Sequence, residues 1–99
     1  MTFEIIIRPE AEIDIINSVE WYEEKRFGLG REFLQCLSDA FELIKQNPVL
    51  YQKIYKDIRR SLPRRFPYEI FFLIDGNKII VLGVLHAKRN PQIIQHRLK

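Results

Sequence analysis

Residues 78–91, KIIVLGVLHAKRNP, constrain the fold more than any other stretch of the chain. Ile79, Ile80, Val81, Leu82, Val84 and Leu85 form an almost unbroken apolar run rich in β-branched side chains, the pattern of a strand covered on both faces. This run is expected to be the central strand of a sheet. Its character changes abruptly at the end, where His86, Lys88, Arg89 and Asn90 arrive together and Pro91 removes a ladder donor. A strand that ends in a cationic cluster holds polar groups more firmly than a free loop does.

The rest of the chain supplies partners for that strand. A β-branched run over 3–7 ends at Arg8-Pro9 and predicts a first strand. Pro9 with Glu10, Glu12 and Asp14 marks a helix start, because proline presets φ and the acids face the positive end of the helix dipole. Ala11, Ile15, Ile16, Val19 and Tyr22 then recur at three- and four-residue spacing and predict an apolar helix face to about residue 26. Ile13 and Trp21 fall off that face. An off-face Trp either contacts a partner or packs on a neighbouring loop or tail. Gly28-Leu29-Gly30 is a tight link between helices, with no GxGxxG or GxxxxGK pattern to suggest a phosphate loop. A second helix over about 31–46 carries Phe33, Leu37, Ala40, Phe41 and Ile44 on one face, widened by Leu34, Cys36 and Leu43, and Asn47-Pro48 ends it.

Beyond a linker through residues 49–51, the segment 54–62 mixes apolar residues with Lys53, Lys56, Arg59 and Arg60 around it, and a strand is predicted at 58–62. Pro63-Arg64-Arg65-Phe66-Pro67 is a turn, since paired prolines leave few ladder donors. YEIFFLI at 68–74 is a strand with apolar residues on both faces, and Asp75-Gly76-Asn77 is a hairpin turn back into the central strand. The expected architecture is α+β in the order β-α-α-β-β-β. A helical hairpin packs on one face of a mainly antiparallel four-stranded sheet, with 1–99 as one domain.

Composition narrows the function classes. Nearly half of the 99 residues are hydrophobic, which argues against disorder. No apolar run has the length of a membrane span and no secretory leader is evident, so a cytoplasmic protein is expected. The single cysteine, Cys36, cannot form an internal disulfide, and its place in a helical pattern makes it a core filler. No His, Cys and carboxylate cluster has metal-ligand spacing, so neither a metal nor another cofactor is expected. Net charge is +3, yet residues 1–49 hold five basic and ten acidic side chains while residues 50–99 hold eleven and three. Such a split either marks a cationic surface for a polyanion or acidic protein, or lets two halves of opposite sign attract within one fold.

The element order, together with RPEAE at the first helix, SVEWYEEKRFGLG across the hairpin, IRRSLPRRFPY at the second strand and VLHAKRNP at the end, resembles the RelE/ParE superfamily of bacterial toxins. Within it the motifs WYEE, GLG, RRFPY and HAKRNP are more similar to the ParE branch than to the ribosome-dependent ribonucleases. The resemblance implies the toxin half of a type II toxin-antitoxin module. It further implies inhibition of DNA gyrase and neutralisation by a cognate antitoxin that wraps the toxin.

Two chemistries are compatible with the residues. A metal-free ribonuclease acting on mRNA at the ribosome needs an acid and base and cations for the growing phosphorane charge. His86 would serve as acid or base, because histidine titrates near neutrality, with Arg59, Arg65 and Arg89 as phosphate clamps. The tail 92–99 lacks the tyrosine that several ribonuclease relatives carry there, and its His96 is expected to be solvated. A binding inhibitor needs no catalytic set. For it, Arg59, Arg60, Arg64, Arg65, His86, Lys88 and Arg89 form the expected target-binding rim. The antitoxin is expected on Trp21, Tyr22, Phe27 and Leu29 together with Arg59 and Arg65. Each group also has a plainer role: His86 can donate a ring N–H to a backbone carbonyl, and the arginines can guard a sheet edge. A non-toxic interaction module is the third possibility.

Overall fold

The computed structural model describes residues 2–98. In order these form β1 (Glu4–Ile7), α1 (Pro9–Lys25), α2 (Leu29–Gln46), a 3-10 turn (Pro48–Leu50), β2 (Gln52–Tyr55), β3 (Ile58–Ser61), β4 (Tyr68–Asp75), β5 (Lys78–His86) and α3 (Gln92–Arg97). The strands make one sheet in the order β1-β5-β4-β3-β2. β1 runs parallel to β5 and every other pair is antiparallel. The apolar run of residues 79–85 thus lies on an interior strand, paired with β4 along its length and with β1 as far as Val81.

The sheet has five strands where the sequence predicts four. The added strand, β2, is an edge of four residues whose Gln52 and Lys53 are exposed, so neither alternation nor an apolar run marks it. Lys56 takes a left-handed conformation at φ 50° and turns the chain into β3. The sequence reading predicts no element for the tail after Pro91. It forms α3, whose Ile94 is buried against Ile58, Phe71, Leu82 and Leu85.

Helix positions follow the predicted periodicity with one rotation. α2 buries Gly30, Phe33, Leu37, Ala40 and Ile44. α1 buries Ala11, Asp14, Ser18 and Tyr22, while Ile16, expected on the buried face, is half exposed. Between the helices Gly28 sits at φ 85°. The Glu23 carboxylate accepts the backbone N–H of Gly28 at 2.9 Å and of Gly30 at 3.0 Å, tying down two donors that a helix start leaves open. A Cβ at Gly30 would stand 2.9 Å from the Val19 carbonyl oxygen, so glycine here sets how closely the two helices approach.

The sheet is covered on both sides. Ile70, Phe72, Ile79 and Val81 pack under the helical hairpin with Tyr22, Phe33, Leu37 and Ile44. Their strand neighbours Phe71 and Leu82 face the other way, toward α3. No helix among the described residues is long and apolar enough to cross a membrane.

Candidate functional site

The end of β5 is re-aimed by an irregularity in its own ladder. Phe72 pairs with Val81 but Phe71 pairs with Gly83, so Leu82 is an extra residue on the β5 side. An extra residue reverses the alternation beyond it. Val84 therefore joins Val81 on the hairpin side, and His86 follows it. Without the bulge, the strand would carry His86 to the α3 side.

β1 ends at Ile7, and the Arg8 N–H bond to the Val81 carbonyl at 3.1 Å is the last bond on that side of β5. The next backbone groups would be orphaned there. The buried Asp14 carboxylate accepts the Val84 N–H at 3.0 Å, and the Arg97 guanidinium donates to the Leu82 carbonyl at 3.2 Å. Arg97 also reaches Asp14 at 2.6 Å and 3.3 Å, while Arg8 donates to the Arg97 carbonyl at 3.2 Å. Asp14 and Arg97 thus replace the missing strand and attach α3 to α1. In the sequence Asp14 reads only as a helix-start acid, although it lies three residues beyond buried Ala11 and four before buried Ser18.

Above this buried pair lies a cleft of about 320 Å³ lined by Asp14, Asn17, Ser18, Trp21, Tyr68, Val84, His86 and Arg89. Ser18 donates its hydroxyl to the Asp14 carbonyl at 2.8 Å, so the floor is internally satisfied. Tyr68 and His86 meet edge to face at 5.3 Å. His86 Nδ1 accepts the Lys88 N–H at 3.1 Å, the reverse of the donation to a carbonyl considered above, which leaves Nε2 as the ring's donor in the neutral form. Trp21, half exposed, packs on Tyr22 at 5.0 Å, and the Lys25 ammonium sits 4.7 Å from the Trp21 ring centre. The cleft is an aromatic pocket with a cationic rim.

The remaining cations do not share this cleft. Arg59 and Arg60 point to opposite faces of β3. Arg59 donates to the Val49 and Tyr51 carbonyls at 3.1 and 2.7 Å, and Arg60 pairs with buried Glu69 at 2.9 Å. Arg65 pairs with Glu32, which Arg26 also contacts at 3.1 Å. Arg64 and Arg65 line a second cleft of about 300 Å³ beside α2, with Glu32, Cys36 and Asp39. The predicted rim of seven basic residues is therefore divided. His86 and Arg89 belong to the α1 cleft, Arg64 and Arg65 to the α2 cleft, Arg59 and Arg60 serve the sheet itself, and Lys88 stands exposed in the turn after β5.

The aromatic set divides as well. Tyr22 is a core residue in contact with Phe33, Phe66 and Tyr68, and burial, then the neighbouring Tyr68, raises its hydroxyl pKa. Leu29 packs against the same core. Phe27 stands 92% exposed at the hairpin tip. Cys36 packs at the core edge, where burial raises its thiol pKa. Among the described residues no group of three or more His, Cys, Asp or Glu could hold a metal ion.

A helical hairpin over one face of a largely antiparallel sheet, with a cationic and aromatic cleft at the end of an interior strand, defines a small α+β domain. Its family is specific. The sequence description of the ParE toxin of type II toxin-antitoxin systems (parDE) matches residues 5–91, and the chain belongs to that family. A solved structure described as the chromosomal ParDE TA system from P. aeruginosa has the same fold, with a TM-score of 0.74. Sequence identity to it is 14%, and the match covers 86% of this chain and 96% of that one. No functionally curated protein sequence matches significantly.

Proposed function

We propose that this ParE-family toxin acts in the cytoplasm by binding DNA gyrase, and that a cognate antitoxin neutralises it by covering the cationic cleft beside α1. Family membership supplies the toxin role and implies an antitoxin. The observation that favours binding over RNA cleavage is the separation of the acid–base and clamp residues. His86 lines one cleft, Arg65 lines another, and the Arg59 guanidinium is spent on two backbone carbonyls. Among the described residues the one carboxylate that lines the cleft with His86, Asp14, already accepts from Arg97 and Val84, so it is not free to act as a base. A surface of partly apolar, cationic character suffices for a binding inhibitor, with affinity that falls as salt rises.

Brief expression followed by parallel DNA and RNA analysis tests this. Cleaved DNA, an induced damage response and intact mRNA are the expected result. Rapid mRNA cutting on translating ribosomes, without DNA cleavage, would overturn it in favour of a ribonuclease.

A further inference from the structure

We infer that the cleft between α1 and the end of β5 is built to receive one carboxylate flanked by apolar side chains, presented by a peptide segment of the antitoxin. The free polar groups around it are chiefly donors. Arg89, His86, Tyr68, Trp21 and Asn17, each of which carries a hydrogen-bond donor, line the cleft. Among the described residues, no side-chain hydrogen bond within the chain engages Arg89. Among the described residues the one acidic group lining the cleft, Asp14, is paired with Arg97 at 2.6 Å and does not oppose an incoming anion. Convergent donors around an apolar wall select an anion attached to an apolar body.

The surroundings choose a peptide over nucleic acid. Ile13 (58% exposed), Ile16 (48%) and Trp21 (50%) stand exposed on α1, the helix that walls one side of the cleft, and offer apolar contact to neighbouring side chains of a bound segment. Glu20 and Glu24, both exposed, flank Trp21 on the same helix. A phosphate backbone continuing along α1 would run past both at like charge, whereas a segment with a single carboxylate meets only the cations at the cleft. Trp21 and the pair His86 and Arg89, which sequence analysis assigns to different partners, share this one cleft. An antitoxin seated there thus covers His86 and Arg89 directly.

This inference rests on the neutralisation reading only for the source of the segment, because the cleft's selectivity can be measured without toxicity. Trp21 is the only tryptophan in the chain, so its fluorescence reports on the cleft alone. The probe is a short amidated peptide with one aspartate among leucines, compared with its asparagine counterpart, inorganic phosphate and a single-stranded oligonucleotide at physiological salt. The acidic peptide should bind saturably about tenfold tighter than the asparagine peptide, as expected for one charge-assisted contact, and be displaced by neither phosphate nor the oligonucleotide. Arg89→Gln and His86→Gln should each reduce that preference while circular dichroism stays unchanged. Equal binding of the two peptides, an acid preference that survives both variants, or tighter binding of the oligonucleotide would overturn the inference. Gyrase poisoning could still be observed in any of those cases, so the cleft assignment can fail alone.

Discussion

Asp14 and Arg97, 83 positions apart in sequence, form a buried ion pair at 2.6 Å that fastens the last helix to the first at the open edge of β5. Removing one partner of such a pair strands the other charge in a poorly solvated place. Asp14→Ala should lower unfolding stability by about 3 kcal/mol, because it also orphans the Val84 N–H. Asp14→Ala combined with Arg97→Leu should cost less than the two single changes added together. Urea denaturation checks both, and strict additivity would show that the pair is not coupled.

Gly83 lies beneath that pair, and a Cβ there would meet Ile94 Cδ1 at 2.5 Å and Arg97 Nη1 at 2.8 Å. Both contacts belong to α3 side chains, so overpacking should lift that helix and leave the rest of the sheet in place. Gly83→Ala is expected to cost about 1–3 kcal/mol and to speed proteolysis after residue 90. Wild-type resistance of the C-terminal segment in the variant would contradict this.

Glu23 gives the hairpin tip a pH dependence. The Gly28 N–H, then the Gly30 N–H, hold its carboxyl pKa below the ordinary glutamate value. Because the folded-state value is the lower one, its contribution is complete above the unfolded value and is lost as pH falls through the folded one. Glu23→Gln should therefore show its largest deficit relative to wild type near neutrality, shrinking on acidification below the ordinary glutamate range. Thermal midpoints across that range test it, and a difference independent of pH would refute the linkage.

Arg59 and Arg89 separate structure from function. Arg59→Ala removes the donor to the Val49 and Tyr51 carbonyls and should cost about 1–2 kcal/mol. Arg89→Ala, at an exposed position, should change stability by less than about 0.5 kcal/mol yet weaken growth arrest. Paired measurements of melting temperature and colony growth decide the matter. Full toxicity of a stable Arg89→Ala variant would remove Arg89 from the target-facing surface.

Most of the scaffold is legible in the chain because its signals are local. Pro9 and the acids after it start α1, Asn47-Pro48 closes α2, and Asp75-Gly76-Asn77 turns β4 into β5. β2 is not legible, since a four-residue edge strand with two exposed polar residues carries no period. α3 escapes for a related reason: six residues with one fully buried side chain make too short a pattern. Gly83 inside an apolar strand is the one sequence signal for the bulge, because an interior glycine often marks one. Its consequence for His86 needs the register of β4.

The spacing of apolar residues, the turn chemistry and the charge asymmetry by themselves determined the α+β class, the hairpin and the polar end of the interior strand, since each depends on neighbours a few residues away. Only the tertiary structure decided which charges are free. Arg59, Arg60 and Arg97 look like Arg64 and Arg89 in the chain, yet the first three answer carbonyls or buried acids contributed from elsewhere in the fold. A guanidinium's availability depends on acceptors brought to it by long-range packing, and no local pattern encodes that arrangement.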